Sequence, residues 1–169
     1  MTSSVNDYLI DQHGLDWPKL LETWTWLLPN EFTVWLVNRY AELFLVFPDG
    51  TVHWLETDGG SFTKVADSRD DFKVKIDEDD NANKWLMIPL VDRCVAAGLK
   101  LGPGQCYGFK YPTILGGGFT VENTGVLSIG DYLGSRGSIH ERLRDVPDGT
   151  EVTLEIINPP HPSRRTRLK

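Results

Sequence analysis

The sequence is short of the residues and motifs that build metal centres and disulfide frameworks. Its two cysteines, Cys94 and Cys106, form no CxxC pair, so we expect neither a zinc ribbon nor a thioredoxin-like motif. Two cysteines are too few for the disulfide framework of a small secreted protein. Buried free thiols in a reducing cytosol are favoured over a disulfide bond. No two histidines have the spacing of a helical metal site, and HExxH is absent. We therefore expect no metal site.

Motifs for phosphate binding and serine hydrolysis are also absent. Glycines cluster at 102–108 and 116–118, but no GxxxxGK[ST] occurs, and no GxGxxG follows a strand and opens a helix. The triple glycine is therefore expected to permit positive φ or close backbone approach in a loop. Ser128 and Ser138 lie near glycines but not in GxSxG. We expect no cofactor.

Basic residues and long apolar segments are likewise scarce. Lys and Arg number 17 against 24 Asp and Glu, which gives a net charge of -7. Such a surface repels phosphate backbones, so no nucleic-acid partner is expected, and it attracts basic protein surfaces. The apolar runs are too short to cross a membrane. The first residues, MTSSVNDYLIDQHG, lack the features of a signal peptide, so we expect a cytoplasmic protein without membrane contact.

Hydrophobic residues make up 40% of the chain, which is enough to bury a core. A helix is predicted over 15–28, with Asp16 as N-cap and Pro18 in its first turn. Strands are predicted over 32–37, 43–47, 51–55 and 62–65, although 32–37 could instead be a short helix. Pro48-Asp49-Gly50 is the turn between the second and third strands.

The second half of the chain mixes helices with short strands. Phe72 and Ile76, four residues apart, predict a short helix, and 85–97 a longer one with Pro89 in its first turn or at a kink. Gly98 suits its C-terminal cap. Further strands are predicted over 105–109, 119–121, 126–129 and 151–157, with a helix over 129–143. The proline-rich, basic residues 158–169 predict a flexible arm.

These elements together predict an α+β fold, an antiparallel β-meander with packed helices. It would form a single compact domain or two small, closely packed halves. The N-terminal half would be residues 1–80, a helix plus the meander. The C-terminal α+β half would be residues 81–157, followed by the flexible basic tail 158–169.

An acidic segment follows the meander. Asp77, Asp79 and Asn81 match the start of a calcium loop, but Ala82 replaces the required glycine and Ile88 the required glutamate. The segment is better interpreted as a solvated acidic face, and we predict that it attracts a basic partner. The predicted partner-binding acids are Asp70, Asp71, Asp77, Glu78, Asp79 and Asp80.

His140-Glu141, on the last predicted helix, is the pair most typical of catalysis. Adjacent residues on a helix point about 100° apart, so a surface or capping role is favoured, and we add both to the predicted partner-binding residues. A small hydrolase that uses His140 with Glu141 or Cys106 is the alternative. Cys106 lies in an aromatic strand and is predicted to be buried, and buried thiols are usually inert.

Several segments together resemble a known family. They are QCYGF at 105–109, P-x-x-L-G-G at 112–117, FTVEN at 119–123, IHE at 139–141 and VPDGT at 146–150. These resemble the C-terminal domain of the type VI secretion DNase-immunity proteins, most firmly over 85–157. The upstream DGTVHWL segment resembles the GAD-like half that often precedes this domain.

The resemblance implies a non-enzymatic binding protein. Members of that family neutralise a secreted nuclease toxin by binding it, so the implied partner is a basic nuclease toxin met in the cytoplasm. The resemblance implies no catalytic residues. The glycine loop and the His140-Glu141 helix would be recognition or scaffold elements, and the tail gains no function. A structural or interaction module with another partner is the third interpretation, and the oligomeric state is open.

Overall fold

The computed structural model describes residues 3–157 and 165–168, with the backbone alone for 154–157 and 165–168. The α-helices are α1 (Trp17–Leu20), α2 (Arg69–Lys75), α3 (Asn81–Leu86), α4 (Ile88–Ala96) and α5 (Ile129–Leu143). The strands are β1 (Thr33–Val37), β2 (Leu43–Val46), β3 (Val52–Glu56), β4 (Ser61–Ala66), β5 (Gln105–Phe109), β6 (Thr124–Ser128), β7 (Leu154–Ile157) and β8 (Arg165–Leu168). Turns of 3-10 helix lie at Val5–Tyr8, Glu22–Trp24 and Thr113–Leu115.

Strands β1 to β4 form the predicted antiparallel meander, in sequence order across the sheet. The turn after β2 closes with a 2.9 Å hydrogen bond from the Gly50 N–H to the Phe47 carbonyl. Gly50 has a φ of 87°, which a residue with a side chain rarely adopts. The predicted α+β fold with a meander and packed helices is therefore confirmed, and 32–37 is strand rather than helix.

The second sheet pairs β5 with β6 and leads directly into α5. The Ser128 side chain caps α5 by accepting a hydrogen bond from the Asp131 N–H. The predicted strand over 119–121 is wrong, because the Thr120 hydroxyl and carbonyl accept hydrogen bonds from Asn123 and Thr124 and fold that segment into a turn. The chain then reaches β6 in register with β5.

Pro89 lies in the first turn of α4, so the predicted helix over 85–97 divides there into α3 and α4. Met87 joins them with a φ of 52°. Gly98 follows the C-cap residue of α4 with a φ of 85°, as predicted for the end of this helix.

Strand β7 pairs with β8 in an antiparallel two-stranded sheet. The predicted strand over 151–157 is thus shorter than expected, and its partner is Arg165–Leu168 within the predicted tail. The remaining tail residues, 158–164 and 169, lie outside the described residues, so the prediction of a flexible arm stays a prediction.

The N-terminal segment packs on the last helix rather than forming the single predicted helix. Asp16 caps α1 as expected, but the helix ends at Leu20 and a 3-10 turn, Glu22–Trp24, follows. The indole N–H of Trp24 donates a 3.0 Å hydrogen bond to the Leu133 carbonyl on α5. One hydrophobic cluster contains buried residues from both predicted halves: Leu21, Trp24, Leu28, Val37, Ala41, Leu43, Leu45, Leu55, Cys106, Ile129, Tyr132 and Leu133.

This shared core bears on how the chain is divided. The proposed boundary at residue 80 remains a prediction, but side chains from both sides of it pack into one hydrophobic core. Cys94 and Cys106 are both free and buried, as the sequence predicted. No helix within the described ranges is long and apolar enough to span a membrane.

Two glycines of α5 provide a matched test of its packing. A Cβ on Gly134 would meet nothing within 4 Å, whereas one on Gly137 would lie 2.7 Å from the Thr23 carbonyl oxygen and in contact with its hydroxyl. We expect Gly134→Ala to stabilise the protein by about 1 kcal/mol, because alanine favours helix. Gly137→Ala should destabilise it by about 1–3 kcal/mol through overpacking. Urea unfolding measures both, and equal stability of the two variants would contradict this packing.

Candidate functional site

Some carboxylates of the predicted acidic face form ion pairs with lysines, and others do not. On α2, Asp70 lies 3.6 Å from Lys73, and Asp71 lies 3.0 Å from Lys75. The Asp71 carboxylate also accepts the Asp67 N–H, and this bond together with Lys75 lowers the pKa of Asp71. Both acids of α2 are therefore partly neutralised by local contacts.

The turn between α2 and α3 carries the other predicted acids. Asp77, Glu78, Asp79 and Asp80 are exposed, and none of them has an ion pair within the described part of the chain. Asp80 accepts a 2.7 Å hydrogen bond from the Asn83 amide, so it is tied to the start of α3. The strongest negative potential of the predicted face is therefore expected at this turn.

His140 lies inside the protein rather than on its surface. Its side chain is buried, and Nε2 is 2.8 Å from the Asp58 carbonyl oxygen. A Cβ on Gly60 would clash with the imidazole ring, so the β3–β4 turn packs directly against it. Burial lowers the pKa of His140 and favours the neutral imidazole. Glu141 is exposed, so the two neighbouring side chains lie apart, as the helix geometry predicted.

Beside His140, a buried ion pair connects the same turn to α5. The Arg136 Nε donates a 3.0 Å hydrogen bond to the Asp58 carboxylate, and both side chains are about 6% exposed. Arg136 also donates to the Phe109 carbonyl, and Asp58 accepts from the backbone and hydroxyl of Thr113. This network positions the β3–β4 turn and the loop after β5. Sequence reasoning missed it, because its two charges are 78 residues apart and neither lies in a motif.

The geometry gives little support to the hydrolase alternative. Burial raises the pKa of the Cys106 thiol to about 12, so it stays protonated at neutral pH. His140 is buried and hydrogen-bonded to a carbonyl, while Glu141 faces solvent. Among the described residues, no three His, Cys, Asp or Glu side chains are grouped so that they could hold a metal ion.

A groove of about 420 Å³ lies between the meander and helices α3 and α4. The acidic turn leads directly into α3, whose residues form one side of the groove. Helix α4, the β1–β2 turn, strand β3 and the loop after β5 contribute the rest. We name this the Glu42 groove, and it is lined by Glu42, Trp54, Glu56, Asn83, Lys84, Met87, Pro89, Leu90, Arg93 and Phe119.

Glu42 is held in the groove by the β1–β2 turn. The Asn38 side-chain oxygen accepts the N–H groups of Tyr40 and Glu42, which fixes the turn. The Asn38 amide then donates 2.9 Å hydrogen bonds to Glu42 Oε2 and to the Trp85 carbonyl. The Trp54 indole donates a second hydrogen bond, of 3.2 Å, to the same carboxylate oxygen. These donors fix the carboxylate while it stays in contact with the groove.

The Glu42 carboxylate is electrostatically unusual. Its residue is 8% exposed, and burial raises its pKa to about 8 despite the hydrogen bond from Asn38. The neighbouring carboxylates of Glu56 and Asp58 contribute to the same upward shift. No Lys, Arg or His among the described residues lies within 4 Å of it. Among the described residues, Glu42 is thus a buried carboxyl group without a cationic partner.

Phe119 forms an exposed aromatic rim on the groove. Its side chain is 61% exposed, and its ring meets Phe109 edge-on at 5.2 Å. The glycine loop before it is tightly folded, since a Cβ on Gly117 would clash with the Tyr111 carbonyl oxygen and Gly116 has a φ of 101°. The Asn123 amide closes the loop with 2.9 Å bonds to the carbonyls of Tyr111 and Gly118. The predicted role of the triple glycine is confirmed.

Sequence reasoning did not identify this groove. The one signal in the sequence is a glutamate, Glu42, that immediately precedes the apolar run LFLV at a predicted strand start. A glutamate there can equally be exposed at the end of a hairpin. Only the packing of α3 against the meander decides that it is buried.

The titration of Glu42 can be measured through stability. Its folded-state pKa of about 8 exceeds the ordinary 4.5, so the folded protein keeps a proton that the unfolded chain has lost. This contribution to stability is complete below about pH 4.5 and is lost as pH rises through about 8, by up to about tenfold in the folding equilibrium per pH unit.

We therefore expect Glu42→Gln to remove that decline, since Gln keeps an acceptor for Asn38 and Trp54 and does not ionise. Denaturant unfolding at several pH values tests this. Glu141→Gln, on an exposed side chain, should keep the wild-type pH dependence. Parallel curves for wild type and Glu42→Gln would contradict the assignment.

The comparison with known families gives one match. Residues 66–140 match the family model described as T6SS immunity protein Tdi1, C-terminal. No curated protein sequence matches the chain. The matched segment runs from the last residue of β4 to His140 and includes the acidic turn, α3, α4 and Phe119. The resemblance to type VI secretion immunity proteins is thus confirmed over this segment, while that of the upstream half stays a prediction.

The match also bears on the class of function. Immunity proteins neutralise toxins, and the family is generally non-enzymatic. It therefore supports a toxin-neutralising binding role in general, with a protein toxin as partner.

Proposed function

We propose that this chain is an immunity protein that binds and occludes a nuclease toxin of a type VI secretion system in the cytoplasm of the producing cell. The observation that carries the proposal is the family match over residues 66–140. The same segment contains the exposed acidic turn and one wall of the Glu42 groove. The segment that matches the family model therefore also carries the surface features expected to contact a partner.

The charge of the chain supports a basic partner. A nuclease needs a positively charged cleft to hold its nucleic acid, and this chain has a net charge of -7. Of the predicted partner-binding acids, Asp77, Glu78 and Asp79 are exposed and unpaired in the described structure, so they would steer the encounter most. Asp70 and Asp71, paired with lysines, would contribute less.

The two predicted contact residues on α5, His140 and Glu141, would have different roles in toxin binding. Glu141 is exposed and can meet a partner directly. His140 is buried, so it would act by holding the β3–β4 turn in place. Most of the affinity is expected from buried anchors near the centre of the interface, for which exposed Phe119 beside the groove is the natural candidate.

Co-expression with the toxin tests the proposal. The toxin to use is a nuclease from a gene adjacent to that of this chain, and its expression alone should arrest growth. We expect co-expression of the wild-type chain to restore growth, and the purified chain to bind a catalytically inactive form of the toxin. Arrest that persists at full soluble expression of the chain, together with no binding, would contradict the proposal.

The contribution of the acidic turn to the encounter can be measured through the association rate. In the triple variant Asp77→Asn, Glu78→Gln and Asp79→Asn, the association rate should fall about tenfold at low salt, with the dissociation rate nearly unchanged. Rising salt should slow the wild-type association and reduce the difference between the two proteins. Surface plasmon resonance measures both rates. Unchanged association at low salt would remove this face from the encounter surface.

A further inference from the structure

The Glu42 groove combines a buried carboxylate with apolar walls and an opening to solvent. We propose that the groove receives a single arginine side chain of the toxin, whose guanidinium pairs with the Glu42 carboxylate. That the partner is a toxin rests on the proposed function. The groove is then the specificity site of the interface, while the acidic turn governs the encounter.

The first argument is the unpaired carboxylate at the floor. Glu42 Oε2 accepts hydrogen bonds from Asn38 and Trp54, and no hydrogen bond from the described residues reaches Oε1. A buried carboxylate without a cation is costly, and a cation from outside relieves this cost. Glu56 adds a second carboxylate to the lining, although one of its oxygens accepts the Ser61 hydroxyl. Two acceptor groups in one groove suit a donor fork with several N–H groups.

The walls favour arginine over lysine. Trp54, Met87, Leu90 and Phe119 line the groove with aromatic and flexible apolar surface. A guanidinium is planar, weakly hydrated and stacks on aromatic faces, while its aliphatic stem covers apolar surface. The Trp54 indole is fixed by its bond to Glu42 and by stacking on Phe44 at 6.1 Å, so the wall is preformed.

Two cations at the rim restrict the sequence around that arginine. Lys84 on α3 and Arg93 on α4 line the groove and are exposed, and neither lies within 4 Å of a carboxylate in the described structure. They repel a second positive charge next to the one that enters. The groove therefore selects an arginine flanked by neutral or acidic residues over a polybasic run.

Binding at this site must release a proton. Glu42 is largely protonated at pH 7, held so by burial and by the carboxylates of Glu56 and Asp58, with Lys84 and Arg93 as the facing cations. A guanidinium pairs with the ionised form, so its affinity should rise as pH increases towards 8, by up to about tenfold per pH unit.

Ethylguanidinium chloride is the probe for a direct test on the full chain. The indole N–H of Trp54, one of six tryptophans, is followed by NMR and assigned with Trp54→Phe. We expect a saturable shift of this resonance, stronger at pH 8 than at pH 7 and absent in equal sodium chloride. Ethylammonium chloride should bind more weakly. A shift that is absent or unsaturable, or equal or tighter binding of ethylammonium, would overturn the assignment.

The Glu42→Gln variant distinguishes binding in the groove from binding elsewhere on the surface. This variant should lose the saturable shift and should weaken binding of the toxin at least tenfold, whereas Glu31→Gln, an exposed residue outside the groove, should keep the shift. Protection against the toxin by Glu42→Gln at wild-type strength would overturn the groove inference and leave the proposed function intact. A saturable, Glu42-dependent shift in a chain that protects against no toxin would contradict the proposed function and support the guanidinium site.

Discussion

Replacing Arg136 with Ala should lower the free energy of unfolding by about 3–5 kcal/mol, because it leaves a buried carboxylate without its cation. Asp58 would keep only its hydrogen bonds from Thr113, and the Phe109 carbonyl would lose its donor. A loss of this size is a large share of the stability of an ordinary domain. The β3–β4 turn, which depends on Asp58, should become the least protected part of the meander in hydrogen exchange.

Arg142 on the same helix is the matched control. It is exposed and has no ion pair in the described structure, so Arg142→Ala should change stability by less than about 0.5 kcal/mol. Urea unfolding at pH 7 compares the two variants. If Arg136→Ala were as stable as Arg142→Ala, the buried ion pair would not hold the turn.

Replacing Trp24 with Ala should lower the free energy of unfolding by about 3–5 kcal/mol, because a fully buried ring is removed from the cluster that joins the two predicted halves. The ring also lies 5.8 Å from that of His140, and its N–H bonds the Leu133 carbonyl. The effect should therefore extend to α5, although this helix lies more than a hundred residues further along the chain. Loss of amide protection in α5 would show this coupling.

Phe119→Ala is the control for removing an aromatic ring. Its side chain is 61% exposed, so its loss should barely alter the free energy of unfolding. The same variant should weaken toxin binding if Phe119 is an interface anchor. A Trp24→Ala variant as stable as Phe119→Ala would mean that the N-terminal segment is dispensable to the fold.

Local pattern was enough to predict most secondary structure. The meander follows from alternating apolar residues and from turn sequences such as Pro48-Asp49-Gly50, and α5 was predicted with the observed ends despite Gly134 and Gly137. Gly137 belongs in a helix here because the Thr23 backbone approaches it, a contact that periodicity cannot show. The strand predicted over 119–121 failed because hydrogen bonds to Thr120 outweighed the β propensity of the segment.

The candidate site was less predictable, because its parts are distant in sequence. The acidic turn was visible as a run of charges. By contrast, Glu42, Trp54, Met87 and Phe119 meet only through tertiary packing, and nothing in the local sequence separates a buried glutamate from an exposed one. His140 showed the converse, since its pairing with Glu141 in sequence suggested a shared role while the helix directs one inward and the other to solvent.

The most direct test of toxin binding without catalysis is a titration of the toxin's nuclease activity with the purified chain. Residual activity should fall linearly and reach its floor at a fixed stoichiometric ratio, and both proteins should keep their masses. Full activity at a large excess of the chain would contradict the account. So would inactivation by trace amounts of the chain, because that would mean that it acts on the toxin catalytically.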